Sequence, residues 1–119
     1  MGTKYLVVIT SGLDQKDKMI VGMNFAKNTF RKKKADDVKV VFFGPSEKAF
    51  SSNDSDFLKL FSILKDLGIV TIACSGYSKA HDLDKAIMDL STELEDVSET
   101  IPRYVDAGYY CNDLLRDHL

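Results

Sequence analysis

Cys74 is the residue in this chain best suited to covalent chemistry. It closes the run Val70-Thr71-Ile72-Ala73-Cys74, which begins like a buried strand, and leads into Ser75-Gly76-Tyr77-Ser78, which reads as a solvent-facing loop. A thiol at the end of a strand and just before a helix faces a positive helix terminus, which favours the thiolate, and the thiolate is the nucleophile. Lys79 and His81 follow closely enough to add positive charge, and the amides of Ser75, Gly76 and Tyr77 could solvate anionic sulfur. The same position also suits a small buried hydrophobe that caps the strand.

Two further junctions have a related composition. Thr10-Ser11-Gly12 and Gly44-Pro45-Ser46, like Cys74-Ser75-Gly76, pair small hydroxylated residues with glycine directly after an apolar run. If the three runs are parallel strands of one open sheet, all three junctions lie on its carboxyl rim, where ligands bind in such folds. Ser11, Gly12 and Ser46 are then candidate binding residues beside Ser75, Gly76 and Tyr77. Unused backbone N–H groups there would suit an anion or a small polar ligand. Serine and glycine are also the ordinary residues of short strand-to-helix loops.

The elements that must position these residues alternate. Tyr5–Thr10 is a short β-branched run, the pattern of a strand buried on both faces. From Asp14 to about Lys34, Met19, Met23, Ala26 and Phe30 repeat at helical spacing. Asp37–Phe43 is a second strand, stopped by Gly44-Pro45. Ser51–Asp54 offers N-caps for a helix carrying Phe57, Leu60, Phe61, Leu64 and Leu67, with Gly68 as its stop. Ile69–Ala73 is a third strand. Asp82 caps a further helix through Leu83, Ala86, Ile87 and Leu90, extended toward Leu94 and Val97. Ile101–Val105, with its proline, reads as an edge strand, and Tyr109 to about Arg116 as a closing helix with no strand after it. The fold class is α/β: a flavodoxin-like three-layer sandwich with a small parallel sheet of four strands, five at most, flanked by helices.

The remaining features narrow the function classes. The 119 residues match one domain, 1–119, and 45% apolar residues can build one core. With 18 acidic and 16 basic side chains, a formal charge of -2 draws the chain to neither nucleic acid nor an anionic membrane. No apolar run is long enough to span a bilayer, and the N-terminus lacks a signal-peptide pattern, which points to the cytoplasm. Two cysteines make no disulfide framework. Cys74 and His81, like Cys111 and His118, are seven residues apart, about 10 Å along a helix and too far for simple chelation; no metal and no cofactor is expected. Arg31-Lys32-Lys33-Lys34 is a solvated helix end that offsets the dipole, and Glu93–Asp96 a solvent-facing helical turn. Cys111, beside Tyr109 and Tyr110, reads as packing.

Taken together, YLVVITSGLDQKDKMIVGMNFAKNTF, DVKVVFFGPS, FLKLFSILKDLGIVTIACSGYSKAHDL and VDAGYYCNDLL resemble the DsrE/DsrF family, which includes the TusD-type sulfur-relay subunits. The similarity runs over nearly the whole chain, and its specific mark is a cysteine at the end of the third strand, matched by Cys74. The resemblance implies a sulfur carrier that holds a persulfide on Cys74 and passes sulfur between protein donor and acceptor thiols. It also implies assembly with copies of itself or with related subunits. Family members commonly finish on an apolar strand, which this chain is read as lacking, so one sheet edge is expected to be bare or covered by a neighbour. The competing readings are a non-catalytic DsrE-fold binding or scaffold subunit and a flavodoxin-like mononucleotide binder with its phosphate at Thr10-Ser11-Gly12. The latter lacks a full GxGxxG or P-loop.

Overall fold

In the computed structural model, which describes residues 2–111, five parallel strands form one sheet with the order β4-β3-β2-β1-β5. The strands are β1 (Lys4–Ile9), β2 (Asp37–Phe42), β3 (Val70–Cys74), β4 (Glu93–Glu95) and β5 (Tyr109–Cys111). The helices are α1 (Lys16–Arg31), α2 (Ser55–Asp66), α3 (Ser75–Ala80), α4 (Asp84–Asp89) and α5 (Val97–Asp106), and 3-10 segments occupy Leu13–Gln15 and Pro45–Ser51. The chain winds outward from β1 to β4 and then returns through α5 to the far side of β1. This is the α/β, flavodoxin-like sandwich that the alternating elements predict.

Strand periodicity divides the core into two layers. Val7, Ile9, Val40, Phe42 and Ala73 face the layer built by α1, α2 and α4, where Phe42, Phe50, Phe57 and Phe61 form one aromatic cluster. Leu6, Val8, Val41, Ile72 and Cys74 face the opposite way, toward Val97, Ile101 and Tyr104 of α5. Tyr77 of α3 also packs against this second layer.

The C-terminal third departs from the sequence reading in four ways. Ile101–Val105 is not an edge strand: it lies inside α5, where Val97, Thr100, Ile101 and Tyr104 fall at helical spacing and outweigh Pro102, which sits on the exposed side. The helix after β3 does not continue through Leu94 and Val97; it ends at Asp89, and Glu93–Glu95 is an edge strand rather than a helical turn. Asp82 does not cap that helix. It takes a left-handed φ of 55° in the connection, and Leu83 stands at the N-cap. Tyr109–Cys111 is a fifth strand paired with Lys4–Leu6, not the start of a closing helix, and the rest of that expected helix lies outside the described residues.

Local polar bonds hold these short strands in place. Tyr109 donates its hydroxyl proton to Asp37 Oδ2, which also accepts from Lys39 Nζ at 2.7 Å. Burial pushes the Asp37 carboxyl up, but the bonds from Lys39 and Tyr109 win and hold it below the usual carboxylate range. On the other edge, buried Thr71 and Thr92 share a hydrogen bond of 2.9 Å, and Lys65 Nζ donates to Thr71 Oγ1 and to Ser91 O. The β4 edge is only three residues long, which limits its use as a template for strand pairing. Among the described residues, no helix is long and apolar enough to cross a membrane.

Candidate functional site

The three strand exits do lie on one rim, but they do not form one site. Cys74 is the last residue of β3 and the N-cap of α3, whose first turn leaves the amides of Ser75, Gly76 and Tyr77 without intrahelical acceptors. Its side chain belongs to the α5 layer, with 9% of the residue exposed, and packs with Ile72, Val41 and Val97. Tyr77 packs against both layers.

This is not the electropositive pocket the sequence suggests. Lys79 and His81 are exposed, and the His81 ring stacks on Tyr77 with centroids 3.9 Å apart, its Nδ1 3.0 Å from Tyr77 O. The helical path from Cys74 carries both side chains away to the surface. The alternation of β3 decides the thiol's surroundings: Cys74 follows Ile72 onto an apolar face.

The exits of β1 and β2 meet elsewhere. Thr10, Ser11, Gly12, Asp14, Gln15 and Pro45 line a shallow cleft of about 220 Å³, with no residue of the β3 exit in its wall. At these two exits part of the backbone hydrogen bonding is used within the protein. Ser46 N donates to Thr10 O, Gln15 N to Gly12 O and Glu47 N to Gly44 O. Ser46 is fully buried, and its hydroxyl donates to Ile9 O at 2.6 Å, so it ties the β2 exit to β1 and is not a ligand contact. Ser11 Oγ reaches Gln15 Oε1 at 3.5 Å. Asp14 in the wall opposes an anion, which counts against a phosphate at this cleft.

Gly12 has a steric role here. A Cβ built on it would stand 2.6 Å from Pro45 O and 2.9 Å from Pro45 C, both backbone atoms that cannot swing aside. Gly12→Ala is therefore expected to force the two exits apart and to destabilise the protein by about 1–3 kcal/mol, read as a lower urea midpoint. An unchanged midpoint would mean that the exits separate without strain.

The residue that sequence reasoning missed is Glu47. It is fully buried in the 3-10 segment after β2, where Oε2 accepts the Gly44 amide at 2.9 Å and Oε1 has no hydrogen-bond partner. Burial pushes its carboxyl up to about 7, the amides of Gly44 and Cys74 pull against that, and Asp84 adds to it. The available signal was its place three residues after Gly44, the spacing at which a glutamate reaches back to the N-cap amide. Nothing in the local sequence announces its burial.

Cys111 lies on β5, with β2 and β1 between it and β3 in the sheet. In register Cys111 is level with Val70, four residues before Cys74, so three strand spacings across the sheet and about 13 Å along it put the two cysteines roughly 19 Å apart, far beyond the reach of a disulfide.

No family profile matches the chain, and no curated protein matches it. Among solved structures it is similar to a conserved protein of unknown function from Bacteroides thetaiotaomicron, with 18% identity, a TM-score of 0.76, and coverage of 89% of this chain and 91% of that one. At that identity the likeness establishes the shared α/β fold and leaves function to the chemistry of the site.

Proposed function

We propose that this chain is a DsrE-like sulfur carrier that holds a persulfide on Cys74 and hands the outer sulfur to an acceptor thiol. The observation that carries this reading is the placement of Cys74 at the end of β3 and at the N-cap of α3, on the carboxyl rim of an open parallel sheet, with a small part of its surface in solvent. In the loading step the Cys74 thiolate attacks the outer sulfur of a donor persulfide. A new S–S bond forms on Cys74, the donor S–S bond breaks, and the donor leaves as a thiolate. In the unloading step an acceptor thiolate attacks the same outer sulfur and Cys74 leaves. The apolar wall serves the interval between the two, because restricted access keeps bulk thiols from stripping the sulfur. Lys79 and His81, exposed just beyond Tyr77, belong to the surface a donor or acceptor protein would touch. The chemistry requires a reducing compartment such as the cytoplasm.

Treating the protein with a polysulfide and weighing the intact chain tests this. One added sulfur is expected on the wild type and on Cys111→Ser, and none on Cys74→Ser, which stays folded because serine is close to the thiol in size. No uptake by the wild type, or equal uptake by Cys74→Ser, overturns the reading.

The second reading, a non-catalytic DsrE-fold subunit that works by assembly, is favoured by a different observation. Val21, Phe25 and Tyr110 are exposed beside Tyr5, which makes edge-on ring contacts with Phe25 at 5.6 Å and Tyr110 at 6.2 Å. Light scattering separates the two readings when combined with the uptake assay: oligomer without uptake is the scaffold.

A further inference from the structure

We propose that Glu47 is a proton-linked latch on the rim: neutral, it leaves α3 clasped to α4 at the exit of β3, and ionised, it repels Asp84, loosens α3 and opens the way to Cys74. The inference concerns regulation of the same thiol and rests on reading Cys74 as the working residue.

The geometry is that of a buried acid with too few partners. The 3-10 segment carries the carboxyl into the layer below the rim, where Gly44 supplies one donor to Oε2 and nothing pairs Oε1. The Cys74 amide lies near enough to favour the ionised carboxylate without making a hydrogen bond of good geometry. The charged groups around it are few. α4 contributes Asp84, which repels a negative Glu47, while Lys85 of the same helix is bound to Asp89. The Leu13–Gln15 turn contributes Asp14, at the surface, and Glu47's own segment contributes Lys48, also exposed. β3 contributes Cys74. No cation pairs with Glu47 among the described residues, so an ionised form has neither a counter-ion nor a full set of donors. An isolated buried charge draws water in or moves out toward it.

The thiol itself points to the opposite face of the sheet, and the connection to it runs through α3. Asp84 Oδ1 accepts the Ser78 hydroxyl at 2.8 Å, and the same hydroxyl is 3.0 Å from Ser75 O. Ser78 therefore fastens α3 to α4 one turn beyond Cys74, and Tyr77 of this helix packs over the thiol's layer. Negative charge on Glu47 pushes on Asp84, strains the clasp with Ser78 and frees the short helix that covers Cys74.

The test compares alkylation of Cys74 in the wild type and in Glu47→Gln, which is the same size and permanently neutral, with the modified Cys74 peptide quantified by mass spectrometry. Because both proteins share the thiol, the ratio of their rates cancels its own titration. The ratio is expected to rise from ~1 at about pH 5.5 to at least ~5-fold at about pH 8.5, a small part of what linkage permits. A ratio that stays flat overturns the latch. Carbon-13 titration of the wild-type glutamates needs no variant: a Glu47 carboxyl that titrates in the ordinary range overturns it as well, and one that titrates near neutrality supports it. A rising ratio in a protein that takes up no sulfur upholds the latch and removes the relay. A flat ratio in a protein that loads sulfur does the reverse.

Discussion

Phe42→Ala is expected to lower the free energy of unfolding by about 3–5 kcal/mol, the range for deleting a buried aromatic ring. Phe42 ends β2 with no exposed surface, and its ring meets Phe50 at 5.1 Å, Phe61 at 6.0 Å and Phe57 at 6.1 Å. These partners come from the 3-10 segment and from α2, so the ring ties both to the sheet. Removing it leaves a cavity walled by rings that are themselves packed together, Phe50 edge-on to Phe57 and Phe61 and those two stacked, and rigid neighbours cannot collapse to fill the gap. For a domain whose total stability is about 5–15 kcal/mol, that loss is a large share. Phe42→Leu, which keeps most of the volume, should cost less than half as much. Urea denaturation reads both, with the midpoint falling and the slope unchanged. A drop under ~1 kcal/mol for Phe42→Ala would mean that the cluster rearranges freely, contrary to the close packing of protein interiors.

Raising the pH from about 4.5 to above 7 is expected to weaken the fold by roughly 3 kcal/mol, the equivalent of moving one carboxyl by the difference between its ordinary and buried affinities. Burial raises the Glu47 carboxyl from 4.5 to about 7. The folded protein therefore holds this proton more tightly than the unfolded chain does. The stabilisation is fully present below about pH 4.5, where both forms are protonated, and is lost as the pH climbs through 7. Asp96, held below the usual carboxylate range by the Ser98 hydroxyl and amide, acts in the opposite sense and weakens the protein in acid. Stability should thus peak under mildly acidic conditions. Urea midpoints measured at about pH 5.5, 7 and 8.5 check this. Glu47→Gln should flatten the fall between about pH 5.5 and 8.5, most of which comes before pH 7, and a wild type already flat over that interval would show that Glu47 ionises without strain.

The first two-thirds of the fold was legible because each element there carries its own signal. Met19, Met23 and Ala26 repeat at helical spacing and are all buried on α1, and Asp54 accepts the Phe57 amide as an N-cap should. The last third is harder to read because only three residues of each strand there are described, Glu93–Glu95 and Tyr109–Cys111, too few for any periodicity. Pro102 masked a helical stripe, Val97-Thr100-Ile101-Tyr104, that was present all along. Glu93-Leu94-Glu95 becomes a strand only because β3 offers an edge to pair with, and Tyr109-Tyr110-Cys111 only because β1 does.

The candidate site divides along the same line. Local pattern was enough to place Cys74 at a strand end on the carboxyl rim, and to put Ser11, Gly12, Ser46 and Ser75 at strand exits, since strand ends and helix starts are written in a few neighbouring residues. Three things were decided only by packing: the face onto which the thiol projects, the use of the Ser46 amide and hydroxyl to tie the β2 exit to β1, and the burial of Glu47 without a counter-charge. Each depends on groups distant in sequence being brought within a few ångströms. Solvation and electrostatics respond to that proximity, and the order of residues along one stretch of chain does not contain it.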